Sequence, residues 1–167
     1  MHCYNNKNLD RSQEENLYTK MKIPIYKPII NDKTKQYVND CLDSTWISSK
    51  GKYVELFENE FKESTGLSYA TSVCNGTVAL HLALLSLGIK EGDEVIVPTF
   101  TYVASVNCIK HVGAKPVFVD CLEDTWQMDP KDVRKKITPK TKAIIAVHLY
   151  GHPCLLSYKE PNASAQS

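Results

Sequence analysis

Cysteine pairs at metal or redox spacing, long apolar runs and an excess of either charge are all missing from this sequence. The six cysteines stand at positions 3, 41, 74, 108, 121 and 154, no two closer than thirteen residues, so there is no C-x-x-C zinc or thiol-exchange motif. The longest apolar stretch is a handful of residues around Ala143 to Val147. That is well short of the roughly 18 to 20 that cross a bilayer as a helix, so no membrane partner is expected. Lysine plus arginine number 20 against 19 aspartates and glutamates, for a net charge of +1. Charges this balanced and interspersed leave no footprint for nucleic acid or an anionic lipid surface. The first twenty residues, MHCYNNKNLDRSQEENLYTK, lack the apolar centre of a secretory signal, and their charges do not form a transit-peptide pattern. A reducing, cytoplasmic compartment is therefore expected. Cys41, Cys74 and Cys108, with apolar neighbours, are expected as buried thiols.

What is present is the composition of a packed domain. With 167 residues, 43% apolar and 23% charged, the chain has enough material for one sizeable core and lies far from the disordered regime. Residues 1–20 are Asn-rich without a sustained period and read as a disordered extension, with Met21 a candidate biological start before a strand-like stretch at Ile23 to Tyr26. Asp32 is expected to cap a helix through Leu42. A second helix is expected over Tyr53 to Ser64, with Val54, Phe57 and Phe61 on one face and Gly66 as its stop. The segment STWISSKGK between them, residues 44–52, reads as a loop carrying Trp46.

Further along, strands and helices alternate. A β-rich stretch from Tyr69 to Cys74 leads through Asn75-Gly76-Thr77 into a helix from Val78 to Leu87, ended by Gly88. Apolar residues surround that helix almost completely, which predicts burial on most sides. GDEVIVP, residues 92–98, is a turn and a strand. A helix from Thr101 to Val112, closed by Gly113, follows, then a strand from Pro116 to Val119 and a loop with Trp126. A helix from Pro130 to Ile137 has Asp129 as N-cap and proline in its first turn, and a strand from Lys142 to Val147 comes last. The strands are short continuous apolar runs, the mark of a parallel sheet covered on both faces.

In such a sheet ligands bind beyond the carboxyl ends of the strands. Asn75-Gly76-Thr77 is the first candidate. Gly76 permits close backbone approach, Thr77 adds a hydroxyl, and the helix that follows offers free amides and a positive dipole end to a phosphate. An ordinary capped turn accounts for the same residues taken alone, and neither G-x-x-x-x-G-K-[ST] nor G-x-G-x-x-G occurs. Thr99-Phe100-Thr101-Tyr102 is the second candidate, one βα unit later on the same edge. Either aromatic there could stack on a planar cofactor or fill the helix–sheet interface. His148 and His152 straddle Tyr-Gly rather than sharing a helical face, so no metal site is expected. His81 and His111 read as structural.

Together the blocks IPIYKPIIND, WISSKGKYVELFENEF, CNGTVALHLALLSLGIKEGDEVIVPTFTYVASVN, GAKPVFVD, TWQMDP and ITPKTKAIIAVHLYG resemble, in order and spacing, the DegT/DnrJ family of pyridoxal-phosphate-dependent sugar aminotransferases over about residues 22–153. The resemblance implies an α/β fold class: the N-terminal portion of a fold type I PLP-dependent transferase large domain, a mostly parallel sheet covered by helices, here truncated. It implies pyridoxal 5'-phosphate as cofactor, with the phosphate held by Asn75, Gly76 and Thr77 and the ring stacked on Tyr102; Asn75 stands where the family usually has serine. It implies transfer of an amino group from glutamate to a nucleotide-linked keto-sugar in polysaccharide biosynthesis, by a homodimer, with the loop from Trp46 to Lys52 near the sugar nucleotide.

Two groups the chemistry needs, a lysine for the resting Schiff base and a carboxylate for the ring nitrogen, follow the HLYG block in the family, and no catalytic residue is assigned here. Lys159, in LLSYKEP, lacks the acidic strand that should precede such a lysine. The expected organisation is thus a partial large domain over 21–153 and a non-family tail over 154–167, with an unpaired sheet edge and uncovered helix faces. Two alternatives stand beside the aminotransferase: a catalytically inactive truncated product that binds only cofactor or a partner subunit, and a PLP-dependent sugar dehydratase in which histidine replaces the lysine.

Overall fold

The computed structural model describes residues 26–155. Contacts divide the chain into two units, 1–59 and 60–167. The extension over 1–20, the stretch from Ile23 to Ile25, Lys159 and nearly all of the tail lie outside the described residues.

The first unit contains helix α1 (Asp32–Asp43) and the start of helix α2 (Lys52–Thr65). The cap of α1 is Asn31, not Asp32. Asn31 has extended backbone, and its Oδ1 accepts from the Thr34 amide at 2.8 Å. Asp32 sits one position inside, where its charge favours the helix dipole but its side chain no longer faces the free amides. Segment 45–50 is a loop, and Trp46 on it is largely exposed. Asp40 joins the two helices by accepting from the Tyr53 hydroxyl at 2.9 Å and pairing with Lys52. These hydrogen bonds, that of Lys52 foremost, hold the Asp40 carboxyl below its usual range.

The second unit is built on a three-stranded parallel sheet of β1 (Glu94–Pro98), β2 (Lys115–Val119) and β3 (Thr141–Ile144), in the order β2-β1-β3. Helix α3 (Gly76–Ser86) precedes β1, α4 (Ala104–His111) links β1 to β2, and α5 (Pro130–Lys136) carries the chain across to β3. Every residue of the central β1 is buried, as a parallel strand covered on both faces requires. Alternate residues feed two cores. Val95 and Val97 pack with Leu84, Ile89, Cys108 and Ile109, while Ile96 packs with Val119, Met128 and Val133. At the amino end of β1 the buried Glu94 carboxylate accepts from Thr138 Oγ1 at 2.7 Å and Lys115 Nζ at 3.1 Å. It thereby ties β2 and the approach to β3 onto the central strand.

Local signals placed most elements within a few residues. Asp129 caps α5, accepting from the Lys131 amide at 2.8 Å, with Pro130 in the first turn. Gly113 ends α4 with φ of 77°, a left-handed conformation that a Cβ disfavours. Three expectations fail where long-range partners decide. Tyr69 to Cys74 forms no strand, because among the described residues no neighbour offers it a ladder. The all-round apolar α3 buries only Leu84 and leaves Val78, Leu82 and Leu85 exposed, since packing from one side covers one face of a helix. Cys108 is buried as expected and its thiol is pushed up by desolvation, but Cys41 is only half-buried and Cys74 is exposed. Cys74 ends the 69–74 segment, which forms no strand and buries little.

Candidate functional site

Helix α3 precedes β1, and α4 follows it through residues 99–103, so α4 starts at the edge where β1 ends. The two helices pack against each other, and the rings of His81 and His111 meet edge-on at 5.5 Å between them. This pairing accounts for both histidines without catalysis.

The start of α3 is better defined than the sequence suggested. The helix begins at Gly76, two residues before Val78, and Asn75 is its N-cap with extended backbone. Asn75 Oδ1 accepts from the Val78 amide at 3.0 Å. The Gly76 and Thr77 amides fall in the first turn, where a helix provides no acceptor. A Cβ built on Gly76 would meet no atom within 4 Å. Gly76 is exposed and Thr77 half-buried, so a compact phosphate monoester has room beside this first turn; the residues present fit such a group.

Residues 99–103 divide the two aromatics between them. Thr99 anchors the segment, its amide and hydroxyl both donating to the Val119 carbonyl at 2.8 and 3.1 Å. Phe100 turns onto Trp126, with ring centroids 5.5 Å apart. Tyr102 packs into neither core and is 78% exposed. The interface-filling alternative thus fails for Tyr102, and its ring is uncommitted. Helix α4 starts only at Ala104, later than expected, because the Tyr102 carbonyl accepts from the Ser105 amide in a preceding turn at 3.1 Å.

His148 accepts from the Cys154 amide through Nδ1 at 3.1 Å. Among the described residues no three His, Cys, Asp or Glu side chains group as metal ligands. Gln127 had no role in the sequence reading; it is buried and bridges segment 125–127 to the turn at Leu149–Gly151. Its Oε1 accepts from the Leu149 amide at 3.2 Å. A polar residue beside Trp126 in TWQMDP was the only local signal.

Comparison with known proteins identifies the family. The profile of the DegT/DnrJ/EryC1/StrS aminotransferase family matches residues 28–163. The chain belongs to this family. It is similar to the GDP-perosamine synthase of Escherichia coli O157:H7, 67% identical over 132 residues, covering 79% of this chain and 36% of that protein. Similarity to the GDP-perosamine synthase of Vibrio cholerae is 55% over the same coverage. The chain thus spans about a third of the length of the curated relatives it matches. Among solved structures, the aminotransferase from Psychrobacter cryohalolentis superposes with a TM-score of 0.72 at 38% identity, over 78% of this chain and 34% of that one. The PMP form of Spr1654 from Streptococcus pneumoniae gives 0.75 at 40% identity, over 80% and 34%. A GDP-4-keto-6-deoxymannose-3-dehydratase with a trapped PLP-glutamate geminal diamine gives 0.71 at 29% identity, over 79% and 36%. The parallel α/β architecture is therefore that of part of the large domain of these aminotransferases, and pyridoxal phosphate is the cofactor the family leads one to expect.

Proposed function

We propose that this family member carries the cofactor-phosphate half of a pyridoxal-phosphate-dependent transaminase for a GDP-linked keto-sugar. The observation that carries the reading is the start of α3, where Asn75 caps the helix and the Gly76 and Thr77 amides have no acceptor within it, together with the exposed, uncommitted ring of Tyr102 ahead of α4.

In this reading Asn75 holds the first turn of α3 in place through its bond to Val78. The Gly76 and Thr77 amides and the Thr77 hydroxyl bind the phosphate, with the dipole of α3 adding attraction for the dianion. Tyr102 lies against the ring and fixes its plane. Phe100, committed to Trp126, supports the segment that presents Tyr102. When bound, the cofactor supplies an electron sink that lets an amino group move between carbon skeletons. No residue among those described is assigned the acid–base work, and glutamate as donor and a homodimeric assembly remain part of the proposal. The dehydratase among the structural neighbours keeps a second reading in view, because cradle and stacking ring would serve either chemistry.

The test is calorimetric titration with pyridoxamine 5'-phosphate, which has no aldehyde and cannot form adducts with surface lysines. Wild type is expected to bind, Tyr102→Phe to bind with similar affinity, and Tyr102→Ala to bind about tenfold more weakly, within the range of a lost stacking partner. Equal affinity in Tyr102→Ala would remove the ring from the site.

A further inference from the structure

Beyond the phosphate cradle, a second concavity lies in the same unit. A cavity of about 360 Å3, mostly apolar, is lined by Phe100, Trp126, Gln127, Leu149, Tyr150 and His152, among others. Four of these carry aromatic rings, His152 through its imidazole. Trp126 and Tyr150 are 58% and 89% exposed, so their rings are not consumed by the core. Both have left-handed backbone, with φ of 61° and 52°, a conformation that costs non-glycine residues free energy and persists only where the surroundings enforce it. Gln127 provides that enforcement. Its Nε2 donates to the carbonyls of Thr125 at 3.3 Å and Leu149 at 3.4 Å, while its Oε1 takes the Leu149 amide. One buried amide therefore fixes the segments carrying both rings.

We propose that this aromatic pocket takes the purine base of the nucleotide-sugar substrate, with Gln127 as a positioning residue that presets Trp126 and Tyr150. The inference rests on the sugar-nucleotide reading above and adds to it the place where the nucleotide is held. A flat, weakly hydrated base gains more from stacking on rings whose supporting backbone is already set, because less chain freedom is lost on binding. The volume lies at the lower end of small-molecule sites, about 300–1,000 Å3, suited to a base rather than to a whole substrate. Apolar lining with His152 at its border matches a base whose faces are apolar and whose edge is polar.

Trp46 and Trp126 are the two tryptophans of the chain, so Trp46→Phe isolates the emission of Trp126. Titration of that protein with GDP is expected to quench the emission saturably, and adding Tyr150→Ala to weaken the midpoint about tenfold or more. Tyr150 is exposed, so its removal leaves the fold intact, which circular dichroism checks; Phe100→Leu is a second variant expected to weaken the midpoint. The proposal is overturned by absence of quenching, by equal quenching with inorganic pyrophosphate, by an unchanged midpoint in both variants, or by emission that tracks protein concentration alone, as burial against a second copy would give. Pyridoxamine phosphate binding by the same protein separates the two readings. If it is retained without a GDP effect, the pocket assignment falls alone; if GDP quenches where pyridoxamine phosphate does not bind, the cradle falls alone.

Discussion

Replacing Gly76 by proline isolates one hydrogen atom of the proposed cradle. Gly76 occupies the first helical position of α3, and its φ lies outside the left-handed range. Proline is tolerated there because the missing N–H has no acceptor within the helix, and its ring suits the helical φ. The residue before a proline must be extended, and Asn75 already is, with φ of −166° and ψ of 169°. The fold should therefore accept Gly76→Pro, and the stiffer unfolded chain should add about 0.4–1 kcal/mol of stability. That is a rise of about 1–4 °C in Tm for a domain of this size. Binding should move the other way. A hydrogen bond to a charged acceptor contributes about 1.5–3 kcal/mol, so loss of the Gly76 donor should weaken pyridoxamine phosphate about 10- to 150-fold, with the Thr77 amide retaining the remainder. Gly76→Ala is the matched control: it keeps the donor, and its Cβ meets open space, so affinity should stay within a few-fold of wild type. Titration calorimetry beside thermal melts reads both quantities. Unchanged affinity in a folded Gly76→Pro protein would refute amide capture of the phosphate.

Three further outcomes follow from packing and charge. Ile109 is fully buried between α4 and the sheet, in the cluster of Val95 and Val97, so Ile109→Ala should cost about 2–5 kcal/mol in denaturant unfolding; a loss below about 1 kcal/mol would show that the cluster is not a closed core. The bonds from Thr138 first and Lys115 second lower the pKa of Glu94, so its contribution is present above the usual glutamate range and fades as pH falls through the lowered value. Glu94→Gln should thus melt earlier than wild type at neutral pH and converge with it in acid, and parallel curves would contradict the assignment. Asn31→Ala should cost α1 about 1 kcal/mol, seen as faster hydrogen exchange at Thr34 and Lys35; unaltered exchange would return the cap to Asp32.

The sequence by itself determined the alternation of helices and strands, the Asp129-Pro130 start of α5, the glycine that ends α4 and the family. Each of these is encoded within a few residues, by a capping side chain, a missing Cβ or a run of apolar residues, or by ordered blocks whose spacing is visible along one line. The candidate phosphate cradle belongs to this class as well, because a strand-like segment running through Asn-Gly-Thr into a helix is a local pattern.

Tertiary structure decided what depends on distant partners. Whether Tyr69 to Cys74 became a strand turned on a neighbour to pair with, and how much of α3 was buried turned on how many sides received packing. Only the fold could separate Phe100, drawn onto Trp126 from 26 positions away, from Tyr102, left free. Gln127 reaching Leu149 across 22 residues was invisible for the same reason. A hydrogen bond of a turn is written into neighbouring residues, whereas burial and ring contacts are set by chain segments that meet only after folding.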